Sequence, residues 1–64
     1  MFSIIAVKNG VRVGYVKSIS YKNSTFKLTN DYKQARKFKS EDAVQGEIDK
    51  LTAMGYEQGY IFIY

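Results

Sequence analysis

The apolar and polar positions at the start of the chain predict two paired β-strands. Phe2–Val7 is rich in β-branched and aromatic residues, and a second segment of this kind runs from Val11 to about Tyr21. Asn9 and Gly10 separate the two segments, and both residues tolerate the positive φ of a two-residue type I′ turn. The sequence therefore predicts a hairpin with a fixed register. Its expected pairs are Lys8 with Val11, Ala6 with Val13, Ile4 with Tyr15 and Phe2 with Lys17.

A second turn at Lys22 and Asn23 adds a third strand, although this turn lacks a Gly. A two-residue loop there gives a register that agrees with the first hairpin about which face of the sheet is apolar. A shift of one residue at either turn would divide the apolar residues between the two faces. The expected pairs are Tyr21 with Ser24, Ile19 with Phe26 and Lys17 with Leu28. The predicted core face contains Phe2, Ile4, Ala6, Val11, Val13, Tyr15, Ile19, Phe26 and Leu28, interrupted by Lys8 and Lys17.

A helix is predicted to begin after Ser40. Ser is a preferred N-cap, and Glu41 and Asp42 place negative charge at the positive end of the helix dipole. Apolar residues then recur at helical spacing, and Gly55 stands where a left-handed C-terminal cap is typical. We expect the helix to cross the core face, with Gly46 at a close contact between helix and sheet. The apolar stripe of the helix consists of Val44, Ile48 and Leu51.

Tyr60–Tyr64 is apolar at every position and predicts a final strand. This strand most simply pairs beside the first one, because the second and third strands already have neighbours in the meander. We predict that Ile61 and Ile63 point into the core, which leaves the aromatic residues on the opposite face. The sequence thus predicts one α+β domain over residues 1–64 with the order β-β-β-α-β. It consists of an antiparallel three-stranded meander, a C-terminal strand beside it, and one helix packed on one face.

Composition narrows the chemistry that is available to this chain. Its 64 residues include no Cys and no His, which excludes disulfides and Cys or His zinc sites and removes two common catalytic side chains. Most of the six carboxylates are explained by the helix dipole or by pairing along the helix. We therefore expect a protein that is not an enzyme and has no catalytic residues, cofactor or metal. The apolar segment after Met1 is too short for a signal peptide or a membrane span, so we expect a cytoplasmic protein without a membrane partner.

The face opposite the predicted core carries an apolar surplus. Most side chains there are small or polar, as in other solvated antiparallel sheets, but several are large and apolar. An exposed cluster of this kind is typical of an interaction site, and tyrosine suits protein contacts as well as base stacking. We therefore predict a partner-binding surface on this face. Its candidate residues are Ile5, Val7, Val16, Tyr60, Phe62 and Tyr64.

Two other roles remain open. Ten Lys and Arg against six Asp and Glu give a formal net charge of +4, which favours acidic partners. If the segment before Ser40 is helical, three of its basic residues share one side and form a phosphate-contacting surface. The residues of this nucleic-acid-binding alternative are Lys27, Lys33, Arg36, Lys37 and Lys39. The third role is a structural homodimer that hides the apolar surplus.

The middle of the chain contains a pattern that resembles one in other short proteins. Leu28-Thr29-Asn30-Asp31 is followed by Ala35-Arg36-Lys37-Phe38-Lys39-Ser40-Glu41-Asp42-Ala43, then by the helix and a closing apolar strand. This pattern resembles that of short, mostly uncharacterised proteins encoded by phages and prophages of Gram-positive bacteria. The resemblance implies a βαβ-type unit in which Ala35 and Phe38 pack under the helix. It also implies a protein that binds and inhibits or modulates a host factor, as inhibitors of restriction and CRISPR systems do.

Overall fold

The computed structural model describes residues 1–55 and 58–64 of the chain. Its elements are β1 (Ile5–Lys8), β2 (Val11–Ser20), β3 (Thr25–Thr29), a 3-10 helix (Tyr32–Gln34), α1 (Glu41–Gly55) and β4 (Tyr60–Ile63). The strands form one antiparallel sheet in the order β3-β2-β1-β4. The α+β architecture and the position of the last strand beside the first confirm the sequence prediction.

The turn between β1 and β2 has the conformation that Asn-Gly predicts. Asn9 has a φ of 55° and Gly10 a φ of 77°, so both lie in the left-handed region that a type I′ turn requires. Lys8 pairs with Val11, as expected. Local turn chemistry therefore fixes the start of the hairpin.

A β-bulge in β2 overturns the predicted register beyond this turn. Ala6 pairs with Gly14 rather than with Val13. The carbonyl of Ile4 accepts a hydrogen bond of 2.9 Å from the amide of Val16. One extra residue in a strand reverses which of its later side chains face the core. Val16, expected on the opposite face, is therefore fully buried, whereas Val13 is 38% exposed.

Other residues that were predicted on the core face also lie elsewhere in the structure. Tyr15, expected in the core, lies on the opposite face. Val11 keeps its predicted partner, but it lies beside the turn and is 61% exposed. Phe2 pairs with Phe38 rather than with Lys17. The predicted face is therefore wrong for Val11, Val13 and Tyr15 of β2, whereas Ile4 and Ala6 are buried in the core as predicted.

A second bulge in β2, at Lys17, shifts the register with β3 by one residue, so the predicted pairs hold only between the bulge and the second turn. Ile19 pairs with Phe26 as predicted, whereas Leu28 pairs with Val16 instead of Lys17. The bulge takes Lys17 out of the ladder and leaves it exposed. Lys17, one of the two lysines that interrupted the predicted core face, is therefore absent from the actual one.

Helix α1 begins where Ser40 predicts. The hydroxyl oxygen of Ser40 accepts a hydrogen bond of 3.2 Å from the amide of Ala43, which is the N-cap arrangement. The predicted apolar stripe of the helix is buried against the sheet, and Ala35 and Phe38 are buried as well. The core cluster contains Ile4, Ala6, Val16, Phe38, Val44, Ile48, Leu51 and Phe62.

The two glycines of α1 differ from their predicted roles. Gly55 lies in α1 and lacks the positive φ of a C-terminal cap. A Cβ at this position would lie 3.1 Å from a ring carbon of Phe62, so Gly55 lets the helix approach β4 closely. Nothing lies within 4 Å of a Cβ at Gly46. Gly46 is therefore not the close helix–sheet contact that was predicted for it.

Within residues 1–55 and 58–64, no helix is long and apolar enough to cross a membrane.

Candidate partner-binding surface

The predicted partner-binding residues divide between the two faces of the sheet. Val16 and Phe62 are buried in the core, so neither is available to a partner. Tyr60 is half-buried on the helix side, where its ring stacks on that of Phe62 with centroids 5.9 Å apart. The prediction that Ile61 and Ile63 point into the core is therefore wrong.

Aromatic packing explains why the aromatic side of β4 faces the helix. The Phe26 ring meets the rings of Tyr60 and Phe62 edge-to-face, with centroid distances of 5.1 Å and 5.3 Å. Tyr64 follows with the same alternation, and its exposed ring contacts Phe2 edge-to-face at 5.6 Å. Large rings fill the space under the end of α1, where isoleucine side chains would leave voids that cost stability.

Four aliphatic side chains form a contiguous patch on the opposite face. β1 and β4 pair Ile5 with Ile63 and Val7 with Ile61, and directly opposite residues in antiparallel strands share a face. Ile61 is 63% exposed and Ile63 is 44% exposed, while Ile5 and Val7 are half-buried. We call these four residues the outer-face patch. Two of them were predicted, and the two isoleucines of β4 replace the aromatic residues that were expected there.

Tyr15 extends the outer-face patch towards the 3-10 helix. It pairs with Ile5 across β1 and β2, and its ring meets that of Tyr32 edge-to-face at 5.4 Å. A shallow depression beside it is lined by Ile5, Arg12, Gly14, Tyr15 and Asn30. The apolar surface thus spans β4, β1 and β2.

Gly14 permits the bulge that brings Tyr15 to this face. Its φ is 153°, and an added Cβ would lie 3.0 Å from the carbonyl oxygen of Thr29. Any side chain at this position would press against the backbone of β3. A lone Gly inside a strand is a recognised signal of a bulge, so Gly14 is the sequence signal that could have revealed the register change.

The charges in the strands around the outer-face patch are basic. Arg12 pairs with Val7 and shares its face. Lys27 lies between Phe26 and Leu28, which pack against the core, so its side chain points to the outer side. None of the four strands contains Asp or Glu, whereas α1 on the other face carries four of the six carboxylates of the chain. The charged residues of the strands are therefore all basic, and those of α1 are mostly acidic.

The basic connection before α1 is not a continuous helix. The 3-10 helix ends at Gln34, and beyond it the amide of Arg36 donates a hydrogen bond of 3.0 Å to the carbonyl of Val16. Lys33, Arg36 and Lys37 therefore do not share one side of a helix, contrary to the arrangement that the nucleic-acid-binding alternative assumes.

Lys37 is engaged within the chain. Its ammonium group donates hydrogen bonds to the carbonyls of Tyr32 and Ala35 and lies 4.1 Å from the centroid of the Tyr32 ring. Lys37 thus stabilises the connection between β3 and α1. The other candidate cations, Lys27, Lys33, Arg36 and Lys39, are exposed.

Tyr21 joins the turn between β2 and β3 to the helix. Its hydroxyl donates a hydrogen bond to the carboxylate of Glu47, and the ammonium of Lys50 lies 5.1 Å from the Tyr21 ring centroid and 4.0 Å from Glu47. Desolvation, the hydrogen bond to Glu47 and the negative charge of Glu47 raise the pKa of Tyr21 from 10.0 to about 12. We call this contact between Tyr21 and Glu47 the Tyr21 clamp. It could not be predicted from sequence spacing, because its tyrosine and carboxylate lie 26 residues apart.

Within the described ranges, no three His, Cys, Asp or Glu residues are grouped as metal ligands, and no polar or charged residue is buried. The raised pKa of Tyr21 belongs to the clamp between hairpin and helix. What this part of the chain presents to solvent is an apolar surface on a sheet, with cations beside it.

Comparison of the chain with protein-family models, curated proteins and solved structures found no match.

Proposed function

We propose that this chain is a non-enzymatic binding protein that docks a protein partner on the outer-face patch. The observation that carries the proposal is the pair of exposed isoleucines, Ile61 and Ile63, beside Ile5 and Val7 in the middle of a sheet. Removing aliphatic surface from water contributes about 25 cal/mol per Å². Clusters of exposed aliphatic residues next to polar ones are typical of protein interaction sites.

The patch rests on a strand that the core holds in register. Ile4 and Ala6, which alternate with the β1 members of the patch, are fully buried. A shift of β1 by one residue would expose them, so the strand is fixed in its register. A surface that is already ordered loses little conformational entropy when a partner binds, which supports its use for recognition.

The charges beside the patch favour an acidic partner. Arg12 and Lys27 lie on the outer side, so carboxylates around an apolar centre on the partner would complement this face. The resemblance to phage and prophage proteins supports a host protein as that partner. Inhibition or modulation of a host factor, including a restriction or CRISPR component, is the role that follows.

Nucleic-acid binding is the second candidate, and the exposed Lys33, Arg36 and Lys39 favour it. It has weaker support than protein binding, for two reasons. Lys37 is hydrogen-bonded within the chain, and the aromatic residues of β4 that would stack on bases face the helix. Single-strand binders on sheets rely on exposed aromatic platforms, and here β1 and β4 present aliphatic side chains on the outer face, with Tyr15 of β2 beside them.

The proposal is tested by retention of proteins from a lysate on the immobilised chain. The double variant Ile61→Ser/Ile63→Ser removes the exposed half of the patch. Val11→Ser is the matched control, because it removes an aliphatic side chain that is 61% exposed but lies beside the first turn. We expect the wild type and Val11→Ser to retain the same protein. The double variant should bind it at least about tenfold more weakly, a loss of about 1.4 kcal/mol.

Circular dichroism and unfolding midpoints establish first that both variants keep the fold. A partner that the double variant retains as well as the wild type does would contradict docking on the outer-face patch. Loss of retention in both variants alike would contradict it too, because the effect would not be specific to the patch.

A further inference from the structure

The two edge strands of the sheet, β3 and β4, differ in how they are protected against pairing with a strand of another chain. β3 carries the exposed Lys27 at its centre, and a charge on an edge strand discourages pairing with another chain. β4 consists of Tyr60–Ile63 and contains neither a charged residue nor a proline. β4 is therefore the edge that is open to strand addition.

The hydrogen-bond pattern shows which backbone groups of β4 face outward. The carbonyl of Ile4 accepts its hydrogen bond from Val16, on the β2 side of β1. Backbone groups alternate in direction along a strand, so Ile5 and Val7 direct theirs towards the isoleucines of β4. The backbone groups of the residues between and on either side of these isoleucines point away from β1, at the free edge. These residues are Tyr60, Phe62 and Tyr64.

We propose that β4 pairs in antiparallel orientation with β4 of a second copy of this chain, about a two-fold axis at Phe62. In this register Phe62 lies opposite its own counterpart, and Tyr60 lies opposite Tyr64. Ile61 lies opposite Ile63 of the other copy. All of the outward-facing backbone groups of the strand then find hydrogen-bond partners, as in other cases of strand addition.

A second copy fits this edge better than an unrelated strand does. On the helix side β4 presents aromatic residues, and on the outer side it presents isoleucines. Two-fold antiparallel pairing sets aromatic beside aromatic and isoleucine beside isoleucine, so both faces match by symmetry. An unrelated strand would need the same alternation by chance.

Charge favours pairing at the edge over stacking of the two outer faces. In a face-to-face dimer, Arg12 and Lys27 of one copy would lie near those of the other, and like charges in an interface are destabilising. Edge pairing uses an uncharged strand and leaves these cations in solvent. It also joins the two outer-face patches into one apolar stripe, which stays available to a protein partner. The inference concerns the sheet edge and stands apart from docking on the patch.

The test measures mass by sedimentation equilibrium over a range of protein concentrations. The wild type should approach twice its 7.4 kDa as the concentration rises. Ile61→Glu/Ile63→Glu places like charges opposite each other in the proposed register and lowers the net charge of the chain, whereas Ile61→Glu/Ile63→Lys places opposite charges there and leaves the net charge at +4. Both variants remove the same aliphatic residues from the outer-face patch, so a difference between them reports on the edge. We expect dimerisation to be at least about tenfold weaker in the first variant than in the second.

Two outcomes would overturn the proposal. One is a wild type that remains monomeric up to about 1 mM, a free energy of association weaker than about −4 kcal/mol. The other is equal dimerisation of the two charge variants, which would place the contact elsewhere. Circular dichroism confirms that each variant is folded before its mass is interpreted.

Disulfide trapping tests the register without added charge. The chain contains no Cys, so single substitutions report cleanly. In the proposed dimer, positions 61 and 63 form a non-hydrogen-bonded pair with Cα atoms about 4.5 Å apart, within disulfide range. A mixture of Ile61→Cys and Ile63→Cys should therefore form mixed disulfide dimers in preference to either homodimer. Statistical formation of all three species, or of none, would contradict the register.

Discussion

Gly46 and Gly55 occupy one helix but stand in different surroundings. Gly46→Ala should raise the free energy of unfolding by about 0.5–1 kcal/mol, because the space is open and alanine favours the helix. Gly55→Ala should lower it by about 1–3 kcal/mol, because its Cβ would lie 3.1 Å from the Phe62 ring and 3.3 Å from Cβ of Tyr60. Urea unfolding of the two variants and the wild type measures both changes.

The pair serves as its own control, since both variants make the same chemical change. Helix propensity alone predicts stabilisation at both positions. Stabilisation by Gly55→Ala would therefore show that the helix does not approach β4 as closely as described. Destabilisation by Gly46→Ala would show that this face of α1 is covered.

The raised pKa of Tyr21 makes a prediction about alkaline stability. Its pKa in the folded chain is about 12, above the ordinary value of 10.0, so the neutral phenol favours the folded state. Its contribution is fully present below about pH 10 and is lost as the pH rises through about 12. Urea unfolding should show the wild type to be more stable than Tyr21→Phe at about pH 9, with the difference shrinking towards about pH 12.

Tyr21→Phe keeps the aromatic ring and removes only the hydrogen bond to Glu47, so the other titrating groups cancel in the comparison. A difference in stability that stays constant over this range would contradict the clamp.

At the level of helices, strands and turns, local chemistry was sufficient to predict those elements whose own residues specify them. The Asn-Gly turn and the Ser40 cap depend on neighbours in sequence, and both were predicted correctly. The two bulges in β2 were not predicted, because they depend on how β2 pairs with β1 and β3. Gly14 is needed there since the backbone of Thr29 comes within 3.0 Å of where a Cβ would be, a contact that only the folded sheet contains.

The prediction of which side chains of β4 face the core was wrong for a related reason. A strand that is apolar at every position has no alternation from which its faces can be assigned. Residues distant in sequence determine which side chains of β4 face the helix. Phe26 contacts the aromatic rings edge-to-face, and Gly55 has no side chain, which leaves space for the Phe62 ring. The predicted site therefore kept its face and its β1 members, Ile5 and Val7, but lost Val16 and the C-terminal aromatic residues.

At the scale of the whole molecule, one helix on one sheet leaves much apolar surface unpaired. A chain of 64 residues buries only about 60% of its unfolded surface, so its stability margin is thin. The helix covers one face, while the outer-face patch and the edge of β4 stay open. Association on either surface would add stability that the small core cannot supply, because binding to the folded state alone shifts the folding equilibrium.

The isoleucines of β4 face outward and, in the proposed function, bind the partner. The most direct measurement is NMR of isoleucine methyl groups in the presence of a soluble paramagnetic probe. We predict strong relaxation enhancement for Ile61 and Ile63 and little for the buried Ile4 and Ile48. Addition of the partner retained from lysate should remove the enhancement at Ile61 and Ile63. Protection of these two methyl groups in the free chain, or enhancement that the partner leaves unchanged, would contradict the account.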